Sequence, residues 1–353
     1  MGNSLNNSLQ TNIPNIVNEI IEMNNATELI RPNSFAAATE FSLSPTLTLR
    51  LVPVSTAHSN PITSQEKFQK SDMIYTRYLY IYQEAKCSLL FAILDKNREE
   101  ALFWAYEIYY SGFQVQLIQF IIKIYTDFYS ELNPKLGIFL EKKKDEWINS
   151  PHFDWTIGTM IINMIIRPFC ARRFFEKAQN IIGTLVEPTT SSVKSKNIKE
   201  RPIYIHLEEK DVEQYMNRLA GEIAPNEVLK TYAKYAVRKN ECSLFNMIYD
   251  TVEIPETKRY REMWLYYASF SPIWQERINQ YNGARNVTEK TIDFVDDVDL
   301  EAFYLAYGYE PDEQPMSVQS KSMGTGTDTG TDLGTDQKNP MTWSIFWEKY
   351  GNK

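Results

Sequence analysis

Three histidines, His58, His152 and His206, and three cysteines, Cys87, Cys170 and Cys242, are the side chains best suited to nucleophilic, acid–base or metal chemistry in this sequence. They are scattered. No pair has zinc-ligand or dithiol spacing, and an odd number of widely separated cysteines fits a reduced, intracellular protein. His152 stands two residues before Asp154, but beside the start of an apolar helical run that aspartate is explained by N-capping. The Gly-x-Ser-x-Gly elbow, the Walker loop, the dinucleotide glycine motif and His-Glu-x-x-His do not occur. A site built from distant carboxylates would leave no signature, since such sites are defined by geometry. The expectation is a protein that is not an enzyme and holds neither metal nor cofactor.

What the sequence offers instead is the chemistry of contact. Trp343, Phe346, Trp347 and Tyr350 fall at helical steps of three or four in an apolar C-terminal run that follows a Gly/Thr/Asp tract. Such a tail either folds back onto its own domain or docks as a helix into a partner protein's groove. A flexible tether raises its local concentration in both cases. Tyr260-Arg-Glu-Met-Trp-Leu265-Tyr266 resembles the Tyr-x-x-x-x-Leu-hydrophobic motif by which translation-initiation scaffolds hold the cap-binding protein, although the same residues serve equally as core. Arg167, Arg172, Arg173 and Lys177, interleaved with Phe169, Phe174 and Phe175, could contact phosphates and stack on the bases of RNA or single-stranded nucleic acid. An amphipathic helix whose arginines are solvated or paired with Glu176 accounts for them more simply. Met1-Gly2-Asn3-Ser4-Leu5-Asn6 approaches an N-myristoylation pattern, with Asn6 where Ser or Thr is expected. A lone acyl chain at Gly2 would bind membranes only marginally.

Composition sets the bounds on these readings. The chain has 353 residues, 43% hydrophobic and 13% aromatic, enough for a sizeable core in one large or two modest domains. Glycine is scarce at 13, four of them in the tract 324–334, which disfavours hairpins and phosphate-cradling loops and favours helices. The formal charge of −8 is uneven: 285–353 hold 13 Asp/Glu against 6 Lys/Arg, leaving only −1 for 1–284. A nearly neutral body is not built around attraction to a polyanion. The N-terminus is polar and uncharged, so no signal peptide is expected. The longest apolar stretch, Trp155–Ile166, is about a dozen residues where a membrane span needs about 20.

The elements that must position these residues are helical. Residues 1–71 read as an irregular arm, with a short helix at Ile13–Met23 and an extended run at Thr46–Val54. Helical domain 1 spans 72–183. Asn97 and Glu100 have capping-box spacing at the head of Arg98–Ser111, and Gly112 suits the left-handed stop. Gln114–Ser130 is apolar except for a stripe of Gln116, Gln119, Lys123, Asp127 and Ser130, which predicts a central, buried helix with Lys123 and Asp127 paired. Asn133-Pro134 opens Pro134–Trp147, whose Lys142, Lys143 and Lys144 complement the helix dipole. Asp154 is expected to cap a helix ending near Arg167, before Pro168, and another runs to about Ile182.

A polar, lysine-bearing linker at 184–201 separates a second helical domain, 202–310. There Pro202–Leu207 alternates like a strand, and helices are expected at Glu208–Ile223, Asn226–Lys239, Glu241–Thr251, Glu256–Phe270, Pro272–Tyr281 and Val298–Tyr307. Residues 311–339 read as a disordered low-complexity tether and 340–353 as the aromatic docking tail. No fixed repeat period is found. The expected fold is mainly α, an irregular helical bundle or stack of helix pairs, HEAT-like at most by analogy.

Ser88-Leu-Leu-Phe-Ala-Ile-Leu94, Glu100-Ala-Leu-Phe-Trp-Ala-Tyr-Glu-Ile-Tyr-Tyr-Ser-Gly-Phe113, Tyr125-Thr-Asp-Phe-Tyr129 and Asn133-Pro134 resemble uncharacterised helical proteins of large nucleocytoplasmic DNA viruses. The resemblance covers about a quarter of the chain and carries over no functional residue. It implies a viral source, with the host cytoplasm, viral factory or virion as the setting. The overall expectation is a non-enzymatic interaction or scaffold protein whose partner is another protein, gripped by the tail and by the acidic-aromatic segment Phe294–Tyr309. Nucleic-acid binding through Arg172, Arg173 and Lys177, and translation-initiation scaffolding through Tyr260 and Leu265, are the alternatives.

Overall fold

A computed structural model describes residues 73–150, 154–182, 203–216, 223–238, 241–242, 244, 261–322 and 341–351, all within one compact unit, Gln65–Lys353. The expected arm, the linker, the Gly/Thr/Asp tract, Gly2, His58, His152 and Tyr260 lie outside the described residues, as does most of the expected helix Glu241–Thr251. The fold is mainly α: thirteen α-helices and one two-stranded sheet among the described residues. None of these helices is long and apolar enough to cross a membrane.

The centre is a helical hairpin, α1 (Tyr82–Leu94) and α2 (Arg98–Tyr109), buried on nearly every face. Its turn is built from Asp95, Lys96 in the left-handed region (φ 59°) and Asn97. Asn97 Oδ1 accepts the Glu100 amide at 3.3 Å while its Nδ2 donates to the Glu100 carboxylate at 3.0 Å. The capping-box spacing is thus used, with the Asn97 amide in place of a backbone N–H as the second donor. α2 stops at Gly112, φ +94°, where a Cβ would meet Pro272 Cβ at 2.4 Å. Backbone conformation and the close approach of the next layer both demand glycine there.

Around the hairpin lie α3 (Gln114–Ile124), continued by one π turn (Tyr125–Tyr129), α4 (Pro134–Asn149), α5 (Trp155–Ile165) and α6 (Arg172–Ile182). The expectation that Gln114–Ser130 is the central helix is corrected. α3 buries one stripe, Leu117, Ile118, Ile121 and Ile124, whereas every residue of α5 after the half-buried Trp155 is buried. Asp127 does not serve Lys123 alone; Lys177 of α6 approaches it at 3.5 Å. Lys142 and Lys143 reach Glu146, and Lys144 reaches Glu141, so the lysine triplet on α4 is an ion-paired helix surface.

The described part of the strand-like run Pro202–Leu207, residues 203–207, pairs with no strand among the described residues. Asn163 of α5 takes the part of one: its Oδ1 accepts the Ile205 amide at 3.1 Å and its Nδ2 donates to the Ile205 carbonyl at 2.6 Å. Thr159 Oγ1 accepts from the Leu207 amide and Arg167 donates to the Ile203 carbonyl. The alternation therefore fails as a burial pattern, because Leu207 is buried while Ile203 is 69% exposed. At Gly158 a Cβ would lie 2.8 Å from Leu207 and 2.9 Å from the Tyr106 hydroxyl, which is what lets this segment lie so close. Beyond it come α7 (Glu209–Val212) with a 3-10 turn (Glu213–Tyr215), and α8 (Pro225–Tyr232), both shorter than the expected helices.

The remaining described elements are α9 (Trp264–Ala268), α10 (Pro272–Gln280), a hairpin of β1 (Ala284–Asn286) and β2 (Thr291–Asp293), α11 (Asp297–Tyr307), α12 (Met316–Ser322) and α13 (Trp343–Tyr350). β1 and β2 pair antiparallel with Arg285 opposite Ile292. The start of the expected tether is corrected: α12 lies within it and buries Val318, Gln319 and Ser322, with Gln319 donating to the Gln314 carbonyl at 2.6 Å. Residues on both sides of the expected linker enter one continuous core. Trp274 donates to the Thr76 carbonyl at 3.0 Å, and Arg77, ion-paired with buried Glu107 at 2.8 Å, also donates to the Tyr215 carbonyl.

Replacing Asn163 by Leu strips the Ile205 peptide groups of both partners. A loss of about 2 kcal/mol in urea denaturation is expected, with faster hydrogen exchange at the Ile205 amide.

Candidate interaction site

The C-terminal aromatic residues are brought together by α13 on a groove of the same chain. Thr342 starts the helix, its Oγ1 accepting the Ile345 amide at 3.2 Å. The step of four from Phe346 to Tyr350 aligns the two side chains that become fully buried, while Trp343 and Trp347 flank them half-buried. The groove is aromatic. Phe346 lies 5.5 Å from Phe174, 5.7 Å from Phe175 and 6.1 Å from Phe91, centroid to centroid. Tyr350 meets Phe91 and Phe169, and Trp347 stands edge-on to Phe175 at 4.4 Å. Offset and edge-to-face arrangements of this kind are each worth about 0.5–1.5 kcal/mol beyond the area they bury.

A polar clasp closes one end. Asp95, the residue that ends α1, accepts Tyr350 Oη at 2.8 Å and Arg238 Nη1 at 2.6 Å, with Lys349 Nζ at 3.0 Å. Arg238 also forks onto Glu100, its Nε and Nη2 at 2.8 and 2.5 Å, and its backbone amide donates to Ser88 Oγ of α1. An anion at a helix C-terminus is disfavoured by the helix dipole, so Asp95 needs these donors. Burial pushes its carboxyl up, but hydrogen bonds from Arg238, Lys349 and Tyr350 outweigh that and hold it below the ordinary value. Burial lowers and the two carboxylates raise Arg238, with a net upward direction; burial and Asp95 together push the Tyr350 phenol up.

The three cations expected to touch nucleic acid stand on α6, behind the aromatics. Arg172 pairs with Glu131 and approaches Glu176 at 3.9 Å; Arg173 donates to Ser130 Oγ; Lys177 pairs with Asp127. Phe169, Phe174 and Phe175, read as base-stacking rings, are buried under the tail or against Phe128. Leu265 is 7% exposed and packs in the core, so α9 does not present it to a cap-binding protein. His206 is exposed and edges against Phe139.

Asp154 does not cap α5 with its side chain. Its carboxylate accepts the hydroxyls of Tyr109 at 2.9 Å and Tyr110 at 2.6 Å, and its carbonyl accepts that of Tyr106. Burial, reinforced by Asp154, raises all three phenols, so they stay neutral donors. Among the described residues no group of three or more His, Cys, Asp and Glu is placed to hold a metal ion. Burial pushes the Lys86 amine down to about 8, with Lys123 nearby adding repulsion, but the rings of Tyr82 and Phe120 surround it as packing.

Sequence reasoning missed Asp95, Glu100 and Arg238 as one cluster. Asp95 in the turn and Glu100 at the head of α2 stand where charges are ordinary, and Arg238 is more than a hundred residues away; no local pattern connects them. No protein-family model, curated protein or solved structure matches the chain.

Because the folded carboxyl of Asp95 is depressed, its contribution is complete above its unfolded value, about 3.9, and is lost as pH falls through the lower folded value. Tail undocking in acid is the expected outcome, read by 19F NMR of fluorotryptophan at Trp347. Asp95→Asn should loosen the tail at neutral pH by about 2 kcal/mol and remove this acid step.

Proposed function

We propose that the chain is a non-enzymatic viral interaction or scaffold protein whose C-terminal helix α13 is an exchangeable clasp. In this reading the helix rests in its own groove until a partner protein, viral or host, competes for the groove or for the helix. The single observation that carries it is the fit of Phe346 and Tyr350 into a groove lined by Phe91, Phe169, Phe174 and Phe175, on a helix whose preceding eighteen or so residues, 323–340, are low in apolar content. Two features favour exchange over a fixed structural role. Trp343 and Trp347 keep part of their surface outside the groove. The Trp343 indole N–H is buried with no hydrogen-bond partner among the described residues, a cost of about 1–3 kcal/mol that undocking relieves.

The setting that goes with this reading is the host cytoplasm, a viral factory or the virion. The nucleic-acid alternative has less support, because Arg172, Arg173 and Lys177 already have partners within the chain.

A chain ending at Ser322 should bind a synthetic 341–353 peptide added in trans, measured by fluorescence anisotropy. Phe346→Asp in the peptide should weaken binding about 100-fold, the equivalent of roughly 3 kcal/mol for a lost buried ring. In cells, the full chain carrying Phe346→Asp should recover a different set of proteins from the unaltered chain. Equal peptide binding with and without Phe346, or identical recovery, contradicts the proposal.

A further inference from the structure

The body of the protein is close to neutral, and its charge is concentrated in one place. Residues 289–313 carry nine carboxylates and one lysine, a net of −8, equal to the formal charge of the whole chain. They form β2, α11 and the turn after it. Asp293, Asp296, Asp297, Glu301, Asp312 and Glu313 are exposed.

α11 is fastened along a single edge. Phe303 is its one fully buried residue, set against Phe294 at 5.1 Å and Tyr281 at 5.8 Å. The opposite edge carries an apolar stripe. Val295, Val298, Ala302 and Leu305 follow one another at steps of three, four and three, the spacing of one seam along a helix and its entry residue. Val295 is 77%, Val298 73% and Leu305 81% exposed. Three large aliphatic side chains in line, each mostly in water, are not explained by the fold they belong to. Asp297 and Glu301 run beside the stripe, where flanking charges select a partner helix.

From the stripe and its rim we infer that the outer face of α11 binds an amphipathic helix of another protein, with an apolar seam of three-four spacing flanked by lysine or arginine. The sign of the charge decides among occupants. A second copy would oppose this acidic face with its own, and like charges across an interface cost several kcal/mol. Nucleic acid and anionic lipid are repelled for the same reason. A basic helix gains on both counts, burying the valines and the leucine while its cations meet the carboxylates. The site shares no residue with the α13 groove, so the two proposals stand or fall separately.

The test uses the full chain and two synthetic helices of about 20 residues with identical leucine seams, one flanked by lysines and the other by glutamates. Binding is followed by fluorescence anisotropy at low and high salt. The lysine peptide should bind, weaken as salt is raised, and lose about tenfold or more in affinity to Leu305→Asp or Val298→Asp; the glutamate peptide should not bind. Both positions are mostly in water, so thermal melts and helical circular dichroism should be unchanged, and Phe346→Asp should leave this binding intact. Equal binding of the two peptides, binding of neither, indifference to Leu305→Asp, or a dimer of the unaltered chain that Leu305→Asp dissolves would overturn the inference.

Discussion

Arg238 holds together three parts of the chain that have no sequence proximity. Its guanidinium bridges Asp95, at the end of α1, and Glu100, in the first turn of α2, and through Asp95 it reaches the C-terminal helix. A planar fork that stays charged at all working pH suits this work better than lysine would. Partly buried charge is expensive unless its hydrogen bonds are complete. Here Glu100 takes two of the guanidinium's donors as well as the indole N–H of Trp104, and Asp95 takes a third. The arrangement makes the hairpin turn, the segment around residue 238 and the tail conditional on one another. Losing either carboxylate leaves the other with a surplus of positive charge in a poorly solvated place.

Around that clasp the molecule is packed with rings. Tyrosine serves where the core meets a polar group, and its hydroxyl replaces bonds that a regular sheet or cap would supply. Tyr106, Tyr109 and Tyr110 converge on Asp154; Tyr80 donates to the Tyr235 carbonyl; Tyr350 closes on Asp95. Asn163 answers one extended segment as a neighbouring strand would. Such contacts let an irregular set of short helices satisfy buried polar groups without repeating geometry. The same ring-rich surface explains why a helix bearing Phe346 and Tyr350 fits its own groove.

The parts of this structure legible in the sequence are those governed by local rules. Asn97 with Glu100, Gly112 and Pro134 mark helix ends because capping and φ constraints act within a few residues, and α2, α4, α10 and α11 fall close to where periodicity places them. Global burial was less readable: the polar stripe of 114–130 was visible, yet the more deeply buried helices α1, α2 and α5 also bury polar residues, Glu84, Glu107 and Asn163 among them, and Glu107 and Asn163 find partners far along the chain. The alternation at 203–207 suggested a strand, but Asn163, Thr159 and Arg167 supply the hydrogen bonds, and nothing local to Ile205 announces them. β1 and β2, three residues each, are below what alternation can register. The tail residues were readable as a helical seam; where they dock was not, because the groove draws on α1, α6 and the residues between.

An exchangeable clasp requires, above all, that α13 be held by its own chain. Hydrogen exchange of the backbone amides of Phe346–Tyr350 measures that directly in the 353-residue chain, over a wide range of protein concentration. Slow exchange that does not depend on concentration, and that Asp95→Asn accelerates, is the result this account predicts. Exchange at the rate of an unprotected peptide, or protection that grows as the protein is concentrated, would contradict it.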